Sequence, residues 1–312
     1  MTSYGSNYVN AFWDPTALDM TYGDGDGVNS NSLTTLDIAG HEMQHGVTQF
    51  EANLTYSGES GGLNESISDV FGAMVERSVL GESANTWLIG EETWTPSVSG
   101  DALRYMDDPT RDGSSYGYYF TSVGSADVHY SSGVGNHAFY LLNEGGSPTT
   151  AVTAIDAADA AAIWYLALSS YMTSSTNYAA ARTATLNAAS ALYGSTSTQY
   201  TSVDAAWTAV FVHPSLTTYR STLARAGRST YNPSSTGLSV AAGAQTVALV
   251  GPSSADFDLY LQKKVGKTWT TVASDTGTGT IKNIAYTGTA GTYRNYVISA
   301  VGSGTYTLGW KK

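Results

Sequence analysis

The 312 residues exceed one typical core of about 150, so two domains are the starting expectation. A net charge of −12 argues against nucleic acid as a partner, and the lack of cysteine excludes disulfides, thiol catalysis and cysteine-bound zinc. No apolar run approaches the roughly 20 residues of a membrane span, so no membrane contact is expected.

Residues 1–20 contain no basic segment followed by an apolar one, so no signal peptide is read there. The stretch 8–13 reads as a strand. The run Gly23-Asp24-Gly25-Asp26-Gly27 reads as a tight turn and not as an EF-hand, because Thr35 stands where a closing acid would be needed. Over 33–50 the apolar residues Leu36, Ala39, Met43 and Val47 recur at helical spacing. A loop is expected over 51–60. A second helix then runs from Leu63 through Ile67, Val70, Phe71 and Met74 to a stop at Gly81. Residues 81–128 are loop-rich, and helical character returns over 133–212. Residues 222–236 have the composition of a linker. Beyond them, short alternating runs at 245–250, 258–263, 268–273, 293–301 and 305–310 predict a small antiparallel sandwich.

The charge follows the same division. Residues 1–227 carry 6 basic and 23 acidic side chains, whereas 228–312 carry 8 and 3. Such asymmetry suggests two independently folded units. The crowded carboxylates of the first half suggest bound cations or a solvated acidic surface.

His41-Glu42-Met43-Gln44-His45 lies within the first predicted helix. Residues four apart project from one helix face, about 6 Å apart along the axis, so one zinc ion can accept a nitrogen from each histidine. Glu42 is then near enough to reach a metal-bound water without ligating the metal. Two surface histidines flanking a solvated glutamate would give the same motif. The third ligand is supplied by Glu65, 24 residues after His41, near the start of the next predicted helix. It completes a His₂Glu site with a fourth position left for water. Asp69, four residues further on, is placed to accept the free N–H of a ligand histidine. An ordinary acidic helix start is the alternative for this pair.

Several segments carry a resemblance to a known family. They are Asn10-Ala11-Phe12-Trp13, Tyr22 to Gly27, His41 to His45, Gly61-Gly62-Leu63-Asn64-Glu65-Ser66-Ile67-Ser68-Asp69, Trp87 to Glu91, Asp101-Ala102-Leu103-Arg104, and Asp127-Val128-His129-Tyr130 to Gly133. In order and spacing they resemble the thermolysin family of zinc metallopeptidases over about residues 4–213. The resemblance implies an α+β fold with a mainly helical C-terminal lobe. It implies His41, His45 and Glu65 as zinc ligands, and Glu42 as the base that takes a proton from zinc-bound water. His129 and Tyr56 would be donors to the oxyanion, with Asp127 orienting His129. Asn10 and Ala11 would bind substrate backbone, and Arg104 a substrate carbonyl. Leu103, Ile38 and Ile89 would line an apolar pocket, favouring cleavage on the amino side of bulky apolar residues. Asp37, Glu76 and Glu91 resemble the family's calcium site, with one calcium expected because Thr86 and Leu88 stand where some relatives have acids. Acids on a solvated face are the alternative there.

Relatives carry a long β-rich lobe and a pro-region before the Asn-Ala-Phe-Trp strand, and this chain begins almost at that strand. The expectation is therefore a catalytic region with a partial N-terminal lobe over 1–221, a linker over 222–236 and a β-sandwich over 237–312. The last resembles the pre-peptidase C-terminal (PPC) type of domain, on Asp256-Phe257-Asp258-Leu259-Tyr260 and the run from Gly302 to Leu308. The function implied is a secreted, monomeric zinc endopeptidase acting on proteins or peptides. A binding module with a structural zinc site is the rival, but such a site has no need of Glu42. A zinc aminopeptidase would need an anionic anchor for the substrate amine, and no signature of one is seen.

Overall fold

In the computed structural model, which describes residues 4–146 and 149–312, the chain opens with an antiparallel hairpin of β1 (Ala11–Asp14) and β2 (Asp19–Tyr22). The strand begins at Ala11, later than the 8–13 expected. Residues 8–10 instead bond the glycine-rich turn, through Gly23 N–H to Asn10 O (2.9 Å) and Gly25 N–H to Tyr8 O (3.1 Å). A Cβ at Gly23 would overlap the Tyr8 carbonyl oxygen, which is why glycine stands there. Asp26 accepts from the amides of Val28 (2.9 Å) and Asn29 (2.7 Å), so it closes a turn as expected.

Helices α1 (Leu36–Phe50) and α2 (Gly58–Leu80) pack side by side. α2 starts five residues before the Leu63 expected. Its first turn, Gly-Glu-Ser-Gly-Gly, has poor intrinsic helix propensity and is helical because of what it packs against. Gly61 lies under Val128 and Gly62 under Ser131 and Tyr178, positions with no room for a side chain. Further along, Gly40 and Gly72 meet across the two packed helices, and a Cβ at Gly72 would overlap the Asp37 carbonyl oxygen. That contact sets the spacing between His41 and Glu65. Gly72→Ala is therefore expected to destabilise the protein by about 1–3 kcal/mol through overpacking, despite alanine's better helix propensity. Denaturant titration would check it, and a stabilised variant would show that the helices can part freely.

The two-residue strands β3 (Leu88–Ile89) and β4 (Arg104–Tyr105) pair antiparallel, setting Ile89 opposite Arg104. After a 3₁₀ turn at Pro109–Asp112 come the short α3 (Val128–Ser131), α4 (Gly133–Glu144), α5 (Ala157–Ser170), α6 (Tyr178–Tyr193) and α7 (Thr198–Ala209). Asp156, Asn177 and Ser197 cap the last three through their side chains. Their shared core holds Trp164 stacked on Trp207 (5.9 Å, 4°), with Phe139 edge-on to Trp164. The Trp207 indole N–H is satisfied by Thr185 Oγ1 at 2.8 Å.

A second compact unit comprises Phe211–Lys312 with Tyr119–Thr121, the first being the rest up to Val210. Its strands are β5 (Leu216–Leu223), β6 (Ser229–Asn232), β7 (Leu238–Val240), β8 (Gly243–Val250), β9 (Asp256–Val265), β10 (Thr268–Asp275), β11 (Ile281–Gly288), β12 (Gly291–Val301) and β13 (Gly304–Lys311). They form two antiparallel sheets. One has the order β10-β9-β12-β6 with β7 also on β12, and the other β11-β8-β13-β5. Phe257, Leu259, Tyr306, Leu308 and Trp310 are buried between them. The structure differs from the sequence reading at 222–236. This stretch contains the end of β5, which pairs with β13 from Leu216↔Lys311 to Leu223↔Gly304, and all of β6, which pairs with β12. Both strands lie at sheet edges and are rich in Ser, Thr and Tyr, so they lack the apolar alternation of central strands. The chain is thus α+β, a mainly helical region followed by an all-β sandwich. Among the described residues no helix is long and apolar enough to cross a membrane.

Candidate functional site

His41 and His45 stand one turn apart on α1 and face Glu65 on α2. The two Nε2 atoms are 3.0 Å apart. His41 Nε2 lies 3.6 Å from Glu65 Oε2, and His45 Nε2 lies 3.4 Å from Glu65 Oε1. Zinc bonds of about 2.0–2.1 Å at tetrahedral angles require ligand atoms about 3.3 Å apart, so this trio fits a zinc ion. Glu65 is 1% exposed, and its Oε2 has no hydrogen-bond partner among the described residues. A buried orphan carboxylate oxygen is costly unless a cation takes it. A carboxylate oxygen of Glu42 lies within 4.8 Å of a ring nitrogen of each histidine.

The other ring nitrogens are committed elsewhere. His41 Nδ1 is 2.8 Å from Asp69 Oδ1, and His45 Nδ1 is 2.7 Å from Asn64 Oδ1 and 3.1 Å from Ser68 Oγ. Each imidazole so held turns its Nε2 lone pair to the shared point. Burial pushes the His41 pKa down, but the hydrogen bond and charge of Asp69, with Glu65 and Glu42, carry it up to about 8. Burial alone would raise the Glu65 carboxyl. The His45 hydrogen bond and the nearby cationic groups outweigh it and hold the group well below the usual carboxylate range.

Asp69 is fully buried and accepts from Arg104 Nε (2.8 Å), Arg104 Nη2 (2.6 Å) and Asn136 Nδ2 (2.8 Å) as well as from His41. Burial would raise its pKa, but Arg104 and His41 hold it far down, so it stays an anion. Two of the five N–H groups of Arg104 are engaged by Asp69. Asn64, Ser68 and Asn136 were not foreseen. Asn64 and Ser68 are four apart and one residue off the Glu65–Asp69 register, a signal that could have found them. Asn136 has no local signal.

Opposite lies Tyr56, just before α2, whose hydroxyl bonds Glu65 Oε1 and sits 3.3 Å from His129 Nε2. Burial and then the Glu65 charge push the Tyr56 phenol far above its ordinary value, keeping it a proton donor. His129 Nδ1 is 2.8 Å from Asp127 Oδ1, which also accepts the His129 backbone N–H at 3.0 Å and so caps α3. Asn10, Ala11, Ile38, Ile89, Leu103 and Arg104 line the same cleft, which has a volume of about 1110 Å³.

A second cluster gathers Asp37, Glu76 and Glu91, with carboxylate oxygens within 4.8 Å of one another. Asp37 is held by Thr35 Oγ1 (2.6 Å) and Gly90 N–H (2.6 Å), while Glu91 Oε2 is buried without a hydrogen-bond partner among the described residues. Burial, then repulsion from Glu91, Asp37 and Glu92, pushes Glu76 up to about 8. Burial likewise pushes Glu91 up to about 7. Three crowded oxygen donors, one of them an orphan, suit a hard cation such as calcium.

The family model for the α-helical domain of thermolysin metallopeptidases matches residues 52–212, and that for their catalytic domain matches 1–49. A transglutaminase-activating metalloprotease of Streptomyces mobaraensis is 47% identical over 228 residues, 68% of this chain and 29% of its own. A bacillolysin of Bacillus cereus is 44% identical over 67% of this chain and 37% of its own. This chain therefore spans well under half the length of these relatives. The solved precursor of protealysin, a metalloproteinase from Serratia proteamaculans, matches at 33% identity and a TM-score of 0.55, covering 67% of each chain. The match runs through both helices that bring His41, His45 and Glu65 together, and this chain belongs to the thermolysin metallopeptidase family.

Proposed function

We propose that the protein is a secreted zinc endopeptidase that hydrolyses internal peptide bonds of proteins on the amino side of bulky apolar residues. The observation that carries the reading is the trio of His41 Nε2, His45 Nε2 and Glu65 oxygens at zinc-ligand separations, with Glu42 beside it. Zinc held there would supply Lewis-acid polarisation and a lowered water pKa. Glu42 takes the proton of the attacking water and later delivers it to the leaving amine. Tyr56 and His129 donate to the oxygen that gains charge, and Asp127 fixes the His129 tautomer. Asn10 and Ala11 hold substrate backbone, Arg104 uses N–H groups left by Asp69 on a carbonyl, and Ile38, Ile89 and Leu103 receive the apolar side chain. The sandwich unit is read as a PPC-type domain, and a precursor pro-region is part of the same reading. The test is casein hydrolysis by the metal-free protein, then with zinc restored. Activity should vanish and return, and hydrolysis that survives zinc removal would overturn the assignment.

Calcium at Asp37, Glu76 and Glu91 is the structural half of the proposal. In the metal-free protein Glu76 and Glu91 bind protons more tightly folded than unfolded, where the ordinary value is 4.5. Their folded pKa values are raised, so stability is lost as pH rises from about 4.5 through about 7 to 8. A bound dication removes that loss. The melting temperature gained on adding calcium to zinc-only protein should therefore be larger at pH 8.5 than at pH 5. An equal gain at both would argue against these carboxylates as the site.

A further inference from the structure

Charged side chains along the cleft mostly face charged or metal-binding partners. Arg104 meets Asp69 at 2.6 Å and Asp127 meets His129 at 2.8 Å, while Glu65 and Glu42 converge with the two α1 histidines. Asp112 differs. It lines the cleft at the end of the Pro109–Asp112 turn, half-buried, and among the described residues its hydrogen bonds come from neutral donors. Ser114 N–H and Ser115 N–H each reach Oδ1 at 2.7 Å, and the Ser115 hydroxyl reaches Oδ2. The neighbouring Arg111 does not neutralise it, because that guanidinium lies 3.3 Å from Asp107 and stacks 3.9 Å over the Tyr105 ring. Three neutral donors thus hold the Asp112 side chain in a fixed orientation at the cleft wall. Tyr130, 43% exposed, lines the same cleft and is tied to this segment by Tyr116 N–H to Tyr130 O (3.0 Å). The field of the whole unit has the same sign, since up to Val210 it carries 23 acidic against 4 basic side chains.

We propose that Asp112, with Tyr130 on the same cleft, is a subsite for a lysine or arginine side chain of the substrate, so that the enzyme favours basic over acidic peptide segments around the apolar anchor. An anchored carboxylate loses no side-chain entropy on pairing, and an exposed aromatic face accepts the aliphatic stem and cationic head of such residues. The negative field adds a faster, salt-sensitive approach of cationic substrates. The inference rests on the peptidase reading, and its test separates the two. Quenched fluorescent peptides sharing one apolar residue after the cut would carry Lys, Gln or Glu at each of the flanking positions in turn. At one position kcat/KM should rank Lys above Gln above Glu, with a Lys-to-Glu ratio of about 10 at low salt that shrinks as salt rises. Asp112→Asn should bring that ratio near 1, and Asp112→Lys should invert it. Because each ratio compares two substrates on one protein, a partly unfolded variant does not distort it. A flat ratio at every position, with zinc-dependent cleavage intact, would overturn the subsite alone. No cleavage of any peptide would overturn the peptidase reading beneath it.

Discussion

Replacing Glu42 with glutamine is expected to lower zinc-dependent peptide hydrolysis by about 10²–10⁴-fold while leaving the zinc content unchanged. Glutamine keeps the shape of the side chain and its carbonyl acceptor but has no site for the water's proton at neutral pH. The residue is 6% exposed and stands close to both α1 histidines, yet its neighbour Glu65 has the geometry to complete the ligand trio. Loss of a base without loss of a ligand should leave metal binding intact. Glu65→Gln should do the reverse, removing a charged ligand and with it the zinc. Elemental analysis beside kcat/KM on one peptide separates the two outcomes. A Glu42→Gln protein within tenfold of the parent rate would sink the general-base role. One that has shed its zinc would mean Glu42 helps to hold the metal.

What could be read from the sequence was what is local. His41 and His45, and Glu65 and Asp69, are i, i+4 pairs whose shared helix face follows from helical geometry alone. That Asp69 serves a ligand histidine was legible once both pairs were placed on adjacent helices, and the structure identifies that histidine as His41. Tyr56 and His129, 73 residues apart, meet only because α3 packs on α2, and only the family resemblance pointed to them. Asn136 reaches Asp69 from 67 residues away, and no periodicity encodes that. The mistaken linker has a related cause. Strands β5 and β6 earn their place by pairing with β13 and β12, distant in sequence, and their own side chains are mostly half-exposed and polar. The early start of α2 was hidden because glycines there serve close packing and carry no helical signal of their own.

The convergence on Asp69 leads to the second large effect. Asp69→Ala is expected to destabilise the first unit by about 3–5 kcal/mol, because it strands the Arg104 guanidinium, a cation only 11% exposed, without its counter-charge. It also leaves Asn136 Nδ2 and His41 Nδ1 without their acceptor. For a unit of this size the melting temperature should fall by roughly 6–20 °C. Zinc affinity should fall as well, by about 10–100-fold, since His41 loses the carboxylate that orients it. The two losses can be told apart by measuring unfolding in the metal-free state. If Asp69 acted only through the metal, the variant and parent would melt together once zinc is removed. The Arg104 pairing predicts that most of the difference persists without metal, and a gap under about 2 °C there would show that Arg104 finds another anion. Removing both members, as in Arg104→Met with Asp69→Leu, should recover much of the stability because no buried charge is left unpaired, while the histidine stays unanchored and zinc binding stays weak. Stability and metal affinity would then part company in a single protein, which is the outcome expected if one carboxylate both neutralises Arg104 and aims His41.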